Sequence, residues 1–282
     1  MIYLSAFADE AATSLKGQIE ALNRNGIKYS EIRSVDGVNV SKFTLDTAKE
    51  YQKEMADNGV AVWSIGSPLG KVSINVDFNE YEGTVRHVCE LANVFNADKI
   101  RMFSFFDALG EKNKVFDYLG RMIEIGKEYG VQMCHENEKE VYGDTASRVL
   151  ELIENCKGLK FIYDPVNYIA VGEKAEKTLE LFHDKTEYFH VKDMIADTGE
   201  HVPAGLGDGN IKGLVEKIKD DKVLTLEPHL AIFSGYSDID NFEMKNKFKF
   251  NSNTEAFDFA CKSLKGILNE CGYKEINGGF AK

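Results

Sequence analysis

Along most of the chain, a short run of β-branched, aromatic or aliphatic residues gives way to a longer stretch whose apolar positions recur every three to four residues. The first pattern is that of a strand, the second that of an amphipathic helix. Ile2–Phe7 reads as the first strand, and a helix follows from about Thr13 to Asn25, where Asn25-Gly26 is a good helix stop. Ile27–Arg33 and Thr44–Asn58 make the second pair, and Val60–Ile65 with Asn79–Asn96 the third. Lys99–Ser104 precedes Lys112–Tyr129, Val131–Glu136 precedes Asp144–Asn155, and Leu159–Asp164 precedes Lys174–His183. Tyr188–Lys192 with Ile211–Lys219, then Val223–Glu227 with Thr254–Cys271, complete the series.

Eight strand–helix units in succession predict an α/β fold with parallel strands, and that number argues for a closed (β/α)8 TIM barrel. A doubly wound open sheet is the alternative. It lacks its dinucleotide fingerprint, because Ala6–Thr13 after the first strand contains no glycine. A barrel of this kind takes about 250 residues, and no Pro/Ser-rich linker interrupts the 282, so one domain is expected over residues 1–282.

Composition narrows the function. Apolar stretches such as Gly59–Ile65 are far shorter than the roughly 20 residues that span a bilayer. The start, Met1-Ile2-Tyr3-Leu4-Ser5, carries no basic segment of a secretory signal. Five cysteines without a C-x-x-C pair point to a reducing, cytoplasmic setting. A net charge of −12 with no basic run opposes nucleic-acid and membrane partners.

In such barrels chemistry gathers where strands end and loops begin. Strand five ends Cys134-His135-Glu136-Asn137-Glu138, strand six Ile162-Tyr163-Asp164-Pro165, strand seven Phe189-His190-Val191-Lys192-Asp193 and strand eight Thr225-Leu226-Glu227-Pro228-His229. One acidic residue after a strand is ordinarily a helix cap or a solvated loop residue. Four ionisable residues on consecutive strands are costly at a barrel rim unless paired or bound to metal. Glu136, Asp164, His190 and Glu227 can converge on one divalent cation. Cys134 and His135 are rival ligands, but strand alternation puts Cys134 lower in the barrel and turns His135 outward. Three carboxylates and one imidazole favour Mn²⁺, Mg²⁺ or Co²⁺ over Zn²⁺. Two glutamates on opposite sides of a metal suit removal and return of a proton beside a carbonyl.

With Glu-Asn after strand five, Asp after strand six, His-x-Lys-Asp after strand seven and Glu after strand eight, the chain resembles the xylose isomerase-like TIM-barrel superfamily, and within it the sugar phosphate isomerase/epimerase group. Further matching stretches are Glu31-Ile32-Arg33-Ser34, Ser67-Pro68-Leu69-Gly70-Lys71 and Gly205-Leu206-Gly207-Asp208-Gly209. The resemblance implies that Glu136, Asp164, His190 and Glu227 hold one divalent metal, Mn²⁺ before Mg²⁺, Co²⁺ or Zn²⁺. It makes Glu136 and Glu227 the catalytic acid/base pair of an isomerase or epimerase acting on a sugar or sugar phosphate through a metal-bound enediolate. Many members carry a histidine three residues after the strand-six aspartate, where it contacts substrate; here that position is Asn167. The departure leaves room for a lyase or dehydratase on a keto-inositol or 3-keto-glycoside through the same enolate.

Other positions complete the expected site. Glu31 and Arg33 share a face of strand two, as an ion pair or as contacts to substrate hydroxyls. Arg101 shares a face with Phe103 on strand four, and Lys71 stands in the loop after strand three. Lys192 points the same way as His190, with Asp193 as an alternative salt-bridge partner, and the Gly-rich loop 205–209 lies where many barrels bind phosphate. Arg33, Lys71, Arg101, Asn167, Lys192 and His201 are the expected substrate contacts, and His229 is a further loop residue near the mouth. Pro228–Asn253, with Phe233, Tyr236, Phe242, Phe248 and Phe250, is long for a βα loop and reads as a lid or as a contact of a homo-oligomer.

Overall fold

The computed structural model describes residues 1–233 and 248–282; Tyr236 and Phe242 of the long loop lie outside the described residues. Eight strands form the barrel: β1 (Ile2–Ala6), β2 (Tyr29–Ile32), β3 (Ala61–Leu69), β4 (Lys99–Met102), β5 (Gln132–Glu136), β6 (Lys160–Tyr163), β7 (Tyr188–Val191) and β8 (Lys222–Leu226). Each pairs in parallel with the next, and β8 returns to β1 in register from Ile2↔Lys222 to Ala6↔Leu226. The sheet is therefore closed, as the eight repeated units predict.

The crossover helices form where capping residues and apolar stripes coincide. They are α1 (Leu15–Arg24), α2 (Leu45–Asp57), α3 (Phe78–Phe95), α4 (Lys112–Tyr129), α5 (Ala146–Asn155), α6 (Pro165–Ala170), α7 (Ala175–Phe182), α8 (Ile211–Lys217) and α9 (Asn253–Glu270). Ser14, Thr44 and Ser252 start α1, α2 and α9 by accepting a backbone N–H three residues on. Asn96 and Gly130 stop α3 and α4 in the left-handed conformation. On α4, Val115, Leu119, Met122 and Ile123 form the stripe against the sheet, each worth about 1.5–3 kcal/mol when fully buried. Inside the barrel, Cys134, Ile162, Tyr188 and Val223 pack together against Tyr3 and Trp63.

Several features depart from the expected order. β3 runs on to Leu69, well past Ile65. A six-residue helix, α6, starts directly after β6 with Asp164 as its cap and Pro165 in its first turn. A terminal hairpin, β9 (Lys274–Ile276) and β10 (Gly279–Ala281), pairs antiparallel with β1 through Ile2↔Phe280. It covers the stretch of β1 below Ser5, where pairing with β2 begins. All five cysteines are free thiols, and no helix among the described residues is long and apolar enough to cross a membrane.

Candidate metal and acid/base site

Glu136 ends β5, Asp164 follows β6, His190 lies in β7 and Glu227 follows β8. The parallel register lifts all four to the C-terminal rim, where one atom from each lies within 4.8 Å of the others. The four residues are 0–2% exposed. His190 Nδ1 stands 3.1 Å from Glu136 Oε1 and 3.3 Å from Glu227 Oε2. Asp164 Oδ1 accepts the backbone N–H groups of Val166 and Asn167 at the start of α6. Asp164 Oδ2 and Glu227 Oε2 are buried and, among the described residues, face only Lys192, at 3.0 and 3.5 Å, and, for Glu227, His190 Nδ1 at 3.3 Å. Buried carboxylate oxygens gathered beside an imidazole nitrogen are the donor set that a hard or borderline divalent cation takes. The set thus fits the metal expected from the resemblance.

Charge decides how these carboxylates sit. Burial would raise Glu136, but the His190 and Arg101 charges pull it down to about 2. Burial wins at Asp164, which is pushed up to about 6 although Lys192 lies 3.0 Å away. Burial also opposes ionisation of Glu227, yet Lys192, His190 and His229 hold it well below the usual carboxylate range. His190 is raised well above an ordinary imidazole: burial works against its charge, and Glu136 and Glu31 overcome it.

The cations are built in. Arg33 Nε and Nη2 reach Asp9 at 2.9 Å each, Nη1 reaches Glu227 at 2.9 Å, and Glu10 lies 3.3 Å from Nη2. The guanidinium lies over the rings of Phe7 at 4.3 Å and Phe233 at 4.7 Å. Arg101 donates to Glu136 Oε2 at 3.2 Å and to the Gly66 carbonyl, and also lies over Phe7, at 4.8 Å. The Phe7 ring needs the bare backbone of Gly66, where a Cβ would meet it at 2.6 Å. Burial pushes Glu10 up to about 8, against the pull of the Arg33 charge.

The remaining expected contacts fall into place unevenly. Glu31 and Arg33 both point inward but do not pair: Glu31 accepts from His190 and Tyr188, and Arg33 takes Asp9, Glu10 and Glu227. Lys71 pairs with Glu138 at 2.9 Å and lies over Phe103 at 4.4 Å. Lys192 reaches Asp164 and, at 3.5 Å, Glu227, so Asp193 is not its partner. Asp193 instead accepts the N–H groups of Met194, Gly205, Gly207 and Gly209. The Gly-rich loop is wrapped around this carboxylate, which takes the amides a phosphate would need. Asn167 donates to Glu136 Oε1 at 3.2 Å and to the Asn137 carbonyl, so both amide protons hold the site rather than a substrate. His201 packs edge-on against His229, ring centroids 5.4 Å apart. Asn137, which clamps the backbone of Asp164 from both sides, and Asp9 and Glu10 were not singled out from sequence. Their signal was present: Asp9-Glu10 follows the first strand as Asp164 follows the sixth.

Cys134 faces the core, and His135 faces away from the site to hydrogen-bond Ser104 at 2.9 Å, which removes both as ligands. Burial drives His135 down to about 3. An unfolded chain takes up its proton near pH 6.5, so this histidine adds stability above that pH and loses it as pH falls from 6.5 toward 3. In chemical denaturation the advantage of the wild type over His135→Asn is expected to shrink by about 1.4 kcal/mol per pH unit over that window. A pH-independent difference would contradict it.

Comparison with known proteins agrees with this architecture. The probable 3-DHS dehydratase AsbF of Bacillus anthracis, involved in petrobactin synthesis, is 18% identical, with a TM-score of 0.71 over 94% of this chain and 98% of that one. D-allulose 3-epimerase from Methylomonas sp. is 12% identical, with a TM-score of 0.72 over 95% and 97%. The IOLI protein, solved with a zinc atom, is 16% identical, with a TM-score of 0.69 over 95% and 98%. At such identities the likeness is one of fold. No curated protein matches the sequence. A family model, Xylose isomerase-like TIM barrel, matches residues 19–233, and the chain belongs to that family.

Proposed function

We propose that the protein is a divalent-metal-dependent isomerase or epimerase of an unphosphorylated ketose or keto-polyol, working by proton transfer at the carbon beside a carbonyl. The observation that carries this reading is the convergence of Glu136 and Glu227 with Asp164 and His190, each glutamate held by its own arginine. Glu136, Asp164, His190 and Glu227 would hold the ion, for which the hard donor set favours Mn²⁺. When bound, the ion supplies Lewis-acid polarisation of the substrate's carbonyl and hydroxyl oxygens. One glutamate takes the carbon-bound proton and the other returns one, from the same or the opposite face. Arg101 Nε, buried and without a hydrogen-bond partner among the described residues, is available to a substrate oxygen.

One feature speaks for an unphosphorylated substrate: Asp193 occupies the amides of the Gly-rich loop. The unbridged cysteines support the cytoplasmic setting read from composition.

The test is chelator-stripped protein, with and without Mn²⁺, in D₂O with ketoses, keto-inositols and their phosphates. Metal-dependent deuterium entry next to the carbonyl of free ketoses is the expected result. Entry only into phosphorylated compounds would overturn the substrate assignment, and metal-independent exchange the metal assignment. A dehydratase shares the fold at 18% identity, so elimination is the competing outcome, and a conjugated enone among the products would identify it.

A further inference from the structure

Below His190 a chain of hydrogen bonds runs down the barrel axis, and the proton-transfer chemistry makes no use of it. His190 Nε2 stands 3.1 Å from Glu31 Oε2. The other Glu31 oxygen accepts the Tyr188 hydroxyl at 2.9 Å. Tyr188 Oη spends its one proton on Glu31, so the Ser64 hydroxyl, 3.1 Å away, donates to it. His190, Glu31, Tyr188 and Ser64 are all 0% exposed. Among the described residues, the carboxylate at this depth of the barrel thus has a partner for each oxygen, and neither partner is an arginine or lysine.

A buried carboxylate without a permanent cation is costly, and it stays where it has work of position to do. An imidazole can ligate through Nδ1 only while its proton sits on Nε2, and the group that accepts that proton fixes both tautomer and ring plane. Glu31 is placed to do this, because Nδ1 on the far side of the ring faces Glu136 and Glu227. The Phe7 ring, edge-on at 5.2 Å, closes one flank of the imidazole. We propose that Glu31, oriented by Tyr188 and Ser64, is the positioning carboxylate that locks His190 as an Nδ1 ligand and thereby sets the metal affinity of the rim site. This inference rests on the reading of Glu136, Asp164, His190 and Glu227 as a metal centre.

Stripped wild-type, Glu31→Gln and Tyr188→Phe proteins are titrated with Mn²⁺ and Zn²⁺ by calorimetry, and melting of each metal-free protein is recorded. Glu31→Gln is expected to weaken binding about 10–100-fold, and Tyr188→Phe by a smaller factor in the same direction. Nitrogen-15 spectra of the Zn²⁺-loaded wild type are expected to show His190 protonated at Nε2 and metal-bound at Nδ1. A folded Glu31→Gln protein with wild-type affinity overturns the proposal, even if it melts lower, because a purely structural carboxylate would move the melting temperature alone. Should Glu31→Gln not fold, undiminished affinity in Tyr188→Phe, or an Nε2-bound His190 in the wild type, overturns it equally. Wild-type protein that takes up neither ion would instead overturn the metal-centre reading, and this inference with it.

Discussion

Glu227→Gln and Glu136→Gln are each expected to lower the rate of deuterium exchange by about 10³-fold or more. Each substitution removes a proton acceptor, a term worth about 10²–10⁴ by itself, and also weakens one of the four groups around the ion. The two variants should differ in kind. Glu136 is held down to about 2 by His190 and Arg101, and its amide replacement takes the charged partner from Arg101, whose next carboxylate, Glu227, is 4.0 Å away. Glu227 is touched by Arg33, Lys192, His190 and His229, so its replacement weakens four contacts at once. Metal affinity, measured beside the rate, separates loss of a ligand from loss of a base. Exchange that persists within tenfold of wild type in both variants would remove this pair from the reaction.

Arg33→Ala should be the most destabilising single change at the rim. Asp9, Glu10 and Glu227 are 1–4% exposed and share this guanidinium. Deleting the cation of a buried pair typically costs about 3–5 kcal/mol, because the carboxylates left behind are neither solvated nor neutralised. Arg33→Lys should recover only part of this. An ammonium cannot make the two-pronged contact to Asp9 while reaching Glu227, and it stacks less well between Phe7 and Phe233. Denaturant unfolding at pH 7 measures both, and a loss under about 1 kcal/mol for Arg33→Ala would show that the three acids relax or protonate at little cost. The variant should also bind metal differently, since Arg33 is ion-paired with Glu227.

The barrel was readable because its signal repeats. Every strand has the β-branched or aromatic run and every long helix its stripe, so Lys112–Tyr129 is found residue for residue. The elements that were not foreseen lack that periodic signal. Pro165–Ala170 is under two turns and exists because Asp164 caps it; Lys274–Ala281 is a hairpin with one exposed strand, held by its contact with β1. In the site, the four rim residues stood out because each stands at or just past the end of a strand. Their partners did not, because pairing across a closed barrel is set by three-dimensional register. Glu31 and Arg33 look like a pair when two positions apart are compared. The register shift between Ser30 and Glu31 along β3, and the approach of β7 from the far wall, give them separate partners.

One aromatic ring ties much of this together. Phe7 lies against Arg33, Arg101 and His190 and occupies the space left by Gly66. The arginine that steadies Glu227 and the arginine that steadies Glu136 therefore lean on the same surface. Substitutions on β2 and β4, far apart in the chain, will accordingly not combine as independent changes. The genetics of this rim should be epistatic, with Phe7 as the hinge through which a change in one half is felt by the other.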